Sequence, residues 1–272
     1  MTARVARWTA IGLVLTVVLV PIYWMVSTSL KSNKEITQDN TLFPHDPTLD
    51  NYRKLFEEKD FGSYLTNSVV VTSASVLISL VLGSLGAYAI ARFRLVFRLE
   101  RRIGLALLTM RIVPAVVILI PVYLLILELD LLDTWLGLIT IYTAVNVTFV
   151  VWMMESFFRE IPVDLEEAAM VDGDSRLSAF RRVVVPLAAP GLVATAIFAV
   201  IVTFNEFLFA LVLTATPDSM TMPRGTATLI GRIDTDWASM AAAGVLGALP
   251  IVIFALFVQR HLVRGLTLGA VK

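Results

Sequence analysis

The chain is 272 residues long with zero formal net charge, and 57% of its residues are hydrophobic against 16% charged. Soluble domains run at roughly 45–50% apolar, so this much apolar surface needs a bilayer, and the expected class is an all-α polytopic membrane protein. Zero net charge gives no overall basic field for nucleic acid, and the absence of cysteine excludes disulfides, thiolate metal sites and thiol nucleophiles.

Residues 8–30 form the first apolar run, preceded by Arg4 and Arg7. A hydrocarbon core about 30 Å thick needs roughly 20 helical residues, so this run can span. Ser27 and Ser29 loosely fit a small-x-small cleavage site, but the run is too long for an ordinary signal-peptide core. It is expected to stay as an anchor. Residues 32–64 are polar and read as an extramembrane loop, with a short helix at 49–58. Residues 67–91 span again and carry Ser75, Ser79, Gly83, Ala87 and Ala91 at successive i+4 positions. Such a stripe of small residues lets a second helix approach closely.

Arg92, Arg94, Arg98, Arg101 and Arg102 crowd the next loop. Spans follow at 103–127 and 135–158, joined by a short turn with Asp130 and Asp133. After a polar segment, residues 187–213 and 237–258 complete six spans, separated by a loop at 214–236 and followed by a tail, 259–272. Six spans put both termini on one side. That side holds fourteen Lys and Arg and the other seven, so the positive-inside rule places both termini in the cytoplasm. The whole chain reads as one transmembrane domain.

Nucleotide and catalytic signatures are missing. No Gly-Lys pair occurs, so there is no phosphate-binding loop. There is no H-E-x-x-H, and His45 and His261, far apart in the chain, make a poor metal site. If the chain takes part in energised transport, a partner or an ion gradient must supply the energy. Polar residues inside spans are costly and invite a functional reading. Tyr142 and Asn146, i and i+4 on the fourth span, and Asn205 and Glu206 on the fifth are candidates for a solute path or gate, against the alternative of helix-to-helix hydrogen bonding. Arg111 and Glu155 are expected to neutralise each other, and Pro114 and Pro121 to kink the third span.

The polar segment at 160–190 holds ordered helix signals. Pro162 suits a first helical turn. Asp164, Glu166 and Glu167 load that turn with negative charge, which the helix dipole favours. Ala168 and Ala169, with Met170 beyond them, leave a low profile for another protein. Asp172 and Gly173 end the helix through a left-handed cap. Asp174 or Ser175 can then cap a second, basic helix carrying Arg176, Arg181 and Arg182. An amphipathic element resting on anionic lipid would suit the second half, but its acidic first half would be repelled there. The charge pattern therefore leans toward a protein partner.

Glu167-Ala168-Ala169, Gly173, Val183 and Val185-Pro186 resemble the EAA motif, E-A-A-x3-G-x9-I-x-L-P, of ABC-importer permeases, with Val in place of the usual Ile and Leu. Asn51-Tyr52, Asn67-Ser68, Ala87-Tyr88-Ala89 before Arg92, Phe157-Phe158 before Ile161-Pro162, and the ending from Gly265 to Lys272 resemble the carbohydrate-uptake branch, of the type that serves as second permease in maltose importers. Phe204-Asn205-Glu206-Phe207 stands where many members read W-N-[ED]-F. The resemblance implies a type I importer permease in a prokaryotic plasma membrane, paired with a second homologous permease. Two ATPase subunits would carry ATP and Mg, none being bound by this chain, and an extracytoplasmic solute-binding protein would deliver a sugar, by expectation an oligosaccharide. It also implies that Glu166, Glu167, Ala168, Ala169, Met170, Asp172 and Gly173 form the helix that couples to the ATPase, and that Gly265, Leu266, Thr267, Gly269 and Lys272 reach the ATPase dimer. The chief rival is an ion-coupled secondary carrier, which often shows inverted halves; residues 1–136 and 137–272 show no clear symmetry. A membrane enzyme would need a catalytic set that is not present.

Overall fold

A computed structural model describes residues 2–39, 41–93, 99–231 and 235–269. Among them the regular secondary structure is helical, apart from one isolated β-bridge between Ile230 and Thr235. Four helices are long and apolar enough to cross a membrane singly: α1 (Thr2–Ser29), α3 (Phe61–Arg92), α6 (Trp135–Glu160) and α13 (Trp237–Gly269). Two bent helix pairs are long and apolar enough, each taken together, to be further candidate spans. One joins α4 (Leu99–Ile112) to α5 (Ala115–Glu128), with the break at Val113-Pro114 and Pro121 inside α5. The ring of Pro114 cannot continue the α4 hydrogen-bond ladder.

The other pair joins the expected basic helix to the start of the expected fifth span. It comprises α8 (Arg176–Ala179), a π-helical turn Phe180–Val184, α9 (Val185–Leu187) and α10 (Ala189–Phe204), bent by 75° between α9 and α10. The remaining helices are short: a π-helical turn Glu35–Asp39, α2 (Asp50–Glu58), α7 (Asp164–Val171), α11 (Leu208–Leu213) and α12 (Met222–Ala227).

α3 and α6 form the centre of the bundle. Ser75, Ser79, Gly83 and Ala87 are buried, so the small-residue stripe packs inside the molecule. A Cβ on Gly83 would lie 2.6 Å from Cβ of Val150, and one on Gly86 3.3 Å from Val151, which shows how closely the two helices approach. α1 lies on the outside, against α13.

The described parts of the loops at 30–60, 129–134 and 214–236 gather at one end of the bundle. Asn67 donates to the carbonyls of Pro217 and Met220, and Trp135 Nε1 donates to Asn67 Oδ1 and the Asp218 carbonyl. Asn33 Nδ2 donates to Asp236 Oδ1, whose carboxylate also caps α13 at Ser239. Asp133 accepts from the N–H groups of Ala215 and Thr216 and from the hydroxyls of Thr216 and Ser219. Burial pushes its carboxyl up, but these bonds, led by Ser219, outweigh that and hold it at about 2. The opposite end carries Arg92, α7 and α8. Arg94 and Arg98 of the expected arginine cluster lie outside the described residues, as does the side chain of Arg101.

Candidate functional site

The segment after α6 folds as two short helices with a left-handed turn between them. Pro162 stands just before α7, its carbonyl accepting from Leu165 N, rather than inside the first turn. Asp164, Glu166 and Glu167 occupy that first turn. At the far end Gly173 has φ +98°, its N–H bonds to Met170 O at 3.2 Å and that of Asp174 to Ala169 O at 3.0 Å. This pair of bonds is a Schellman closure, which satisfies carbonyls that the helix end would otherwise leave open. Of the two candidate caps of the second helix, Ser175 is the one used, its Oγ accepting from Ser178 N, while Asp174 accepts from side chains only, the Ser178 hydroxyl and Arg182.

The two acids at the start of the motif point in different directions. Glu167 is exposed beside a cleft that Arg92, Glu155, Arg159 and Val163 also line. Glu166 is only 2% exposed and faces the bundle. Its Oε1 accepts from Arg92 Nε at 2.5 Å and its Oε2 from the Tyr88 hydroxyl at 2.6 Å, while Arg92 Nη2 donates to the Ile161 carbonyl at 2.9 Å. The Tyr88 ring meets Phe180 at 4.5 Å and Phe158 at 6.1 Å. On the outward face Leu165, Ala168 and Val171 are exposed with Glu167 and Asp172.

The four polar span residues surround a helix break. α10 stops at Phe204 and α11 starts at Leu208, with Asn205-Glu206-Phe207 between them. The Glu206 carboxylate accepts from the N–H groups of Phe209 and Ala210 and from the Tyr142 hydroxyl at 2.7 Å. It supplies partners that the first turn of any helix lacks within itself. Asn146 Nδ2 donates to Thr203 Oγ1 at 2.7 Å, in the last turn of α10 before the break. Asn205 turns away and donates back to Ile201 O. Asn146 also borders an apolar cavity of about 710 Å³ that Arg111, Phe149, Phe198 and Phe209 help line. The structure thus brings Tyr142 to Glu206 and Asn146 to the same break.

The expected pairing of Arg111 with Glu155 is corrected. The Arg111 guanidinium lies over the Phe149 ring, 4.7 Å from its centroid, and Glu155 pairs with Arg159 at 2.8 Å. Residues i and i+4 on one helix face are already neighbours, so Glu155 finds its cation without crossing to α4. Among the expected tail contacts, Gly265, Leu266, Thr267 and Gly269 continue the α13 backbone without a break, their side chains outside the described set. Lys272 lies outside the described residues. What the sequence reading missed is the Glu166–Arg92 pairing. Its only signal was an arginine directly ending an apolar run and an acid in a distant motif, 74 positions apart.

Residues 76–268 match the family described as binding-protein-dependent transport system inner membrane component. The chain is 40% identical to the probable ABC transporter permease protein y4oR of Sinorhizobium fredii, over 100% of this chain and 97% of that one. It is also 40% identical to the trehalose transport system permease protein SugB of Mycobacterium tuberculosis, over 99% and 98%. Its fold matches a chain from the crystal structure of a bacterial ABC transporter involved in the import of alginate, with TM-score 0.81 and 24% identity over 95% and 96% of the two chains. With membrane-length helices and an EAA-type segment folded as two helices, this protein belongs to the binding-protein-dependent inner membrane components of ABC importers.

Proposed function

We propose that the chain pairs with a second, homologous permease to form the path by which a sugar, delivered by an extracytoplasmic binding protein, enters a prokaryotic cell. In this reading both termini and α7 face the cytoplasm, and two ATPase subunits with ATP and Mg supply the energy. The carrying observation is the surface of α7. A helix whose inward acid is tied down turns Leu165, Ala168 and Val171 (87% exposed) outward beside Glu167. Apolar side chains ringed by acids suit a protein cleft with basic residues better than water or anionic lipid. Met170, Asp172 and Gly173 complete that surface, and the tail from Gly265 to Lys272 is assigned to the ATPase dimer. A sugar substrate is supported by the trehalose and alginate systems to which the chain is similar.

Solute passage is assigned to the side where Asn146 borders the open cavity, with Tyr142 and Glu206 holding the break in shape and Asn205 at its exposed edge. The deciding experiment is Glu167→Lys in the assembled transporter. The ATPase should no longer co-purify, whereas normal co-purification takes Glu167 out of the contact. Uptake into proteoliposomes lacking any ATPase would overturn the importer reading in favour of an ion-coupled carrier. A thermal-shift panel of sugars on the cognate binding protein identifies the solute.

A further inference from the structure

We propose that the buried Glu166–Arg92 pair is a strut that makes α7 and α3 move as one body, so that motion imposed on α7 enters the bundle through α3. This rests on α7 being the ATPase-docking element. Covalently, α7 is joined only to α6 and, through Gly173, to α8, so connectivity alone would carry motion into the fourth and fifth spans. The side-chain contacts point elsewhere. Among the described residues, Glu166 is the one side chain of α7 that hydrogen-bonds to another element, and both its oxygens go to α3.

The same turn of α3 collects the flanking segments. Arg92 holds the Ile161 carbonyl at the end of α6, Tyr88 packs on Phe180 ahead of α9, and Arg176 of α8 lies 5.0 Å from the Phe93 centroid. The side chains of Arg92 and Glu166 are 4% and 3% exposed. A buried ion pair adds little net stability over an apolar contact. Its directed bonds instead fix distance and register between the two helices.

The chain has no native cysteine, so spin labels at Asp164→Cys on α7 and Leu77→Cys on α3 report their separation in the complete transporter in nanodiscs. The mean separation should be the same without nucleotide and after trapping with ATP and vanadate. In Glu166→Gln, which keeps the shape and the Tyr88 bond but loses the charge, trapping should shift or broaden it. Binding-protein-stimulated ATP hydrolysis should then fall about tenfold, within the 5–150-fold range usual for coupled sites, while the ATPase still co-purifies. The double variant Arg92→Met with Glu166→Leu refills the site with apolar volume and should insert and assemble yet stay uncoupled.

A nucleotide-dependent separation in the unmodified pair, or wild-type coupling in Glu166→Gln or the double variant, overturns the strut. Loss of ATPase co-purification in Glu166→Gln also overturns it, by placing Glu166 in the contact. Failure of the docking reading looks different: a label at Val171→Cys would then stay mobile when the ATPase is added.

Discussion

At the end where residues 30–60, 129–134 and 214–236 meet, many separate hydrogen bonds hold the loops: four donors on Asp133, two carbonyls on Asn67, and the Asn33–Asp236–Ser239 link into α13. At the opposite end one ion pair and one tyrosine join α7 to α3. A spread network resists deformation in all directions and tolerates the loss of a member. A single buried pair between otherwise separate helices transmits displacement along one line and fails completely when cut. The molecule therefore has a stiff cap at one end and a lever at the other.

The contrast breaks most easily at Arg92. Arg92→Ala leaves Glu166 buried without its cation, and breaking such a pair costs about 3–5 kcal/mol. Thermal unfolding in detergent should show a large loss for this variant. Gly225→Val attacks the cap by packing instead of charge, because any Cβ there overlaps the Tyr64 ring. Overpacking costs about 1–3 kcal/mol, and the same unfolding assay should show a smaller loss than for Arg92→Ala.

Acid tests how much of the cap rests on ionised groups. Asp133 is held near 2, below its ordinary 3.8. Its contribution is therefore complete above about pH 4 and is lost as pH falls toward 2. Stability should drop through that window, and Asp133→Asn should flatten the slope. A shallower slope remains from Glu35, held low by the His45 N–H, and from Asp236, which burial raises but the Ser239 bonds hold low. The smallest effect is Thr134→Ala, which removes the Oγ1 cap on Gly137 N of α6. A lost N-cap costs roughly 1 kcal/mol, and a shift as large as that of Arg92→Ala would show that the cap is not redundant.

Much of the architecture was legible because bilayers constrain chains severely. Apolar runs of spanning length, the short helix near 49–58 and the small-residue stripe follow from hydropathy and spacing alone. The turn at Gly173 was legible too, since an Asp-Gly pair after an acidic helical turn has few other conformations open to it. Element ends were less so. The basic helix expected over Arg176, Arg181 and Arg182 is present and bends by 75° into α10 after Leu187, but the expected fifth span, 187–213, is interrupted at residues 205–207, because the Glu206 carboxylate takes the N–H groups that begin α11. The final helix continues past the expected end of its span at 258 to Gly269.

The sequence by itself determined that this is a multi-span membrane protein with an acidic-then-basic helix pair around a glycine turn, since length, apolarity and capping chemistry are local properties. It also placed unusual polarity at Tyr142, Asn146, Asn205 and Glu206. Only the tertiary structure decided what that polarity does, capping a broken helix, and which of two adjacent acids is free. Glu166 and Glu167 differ by one position, a rotation of about 100° on a helix with 3.6 residues per turn. That rotation sends one carboxylate into a buried guanidinium 74 residues away in sequence and leaves the other at the surface. No local pattern encodes such a choice, because it depends on where α3 ends in space.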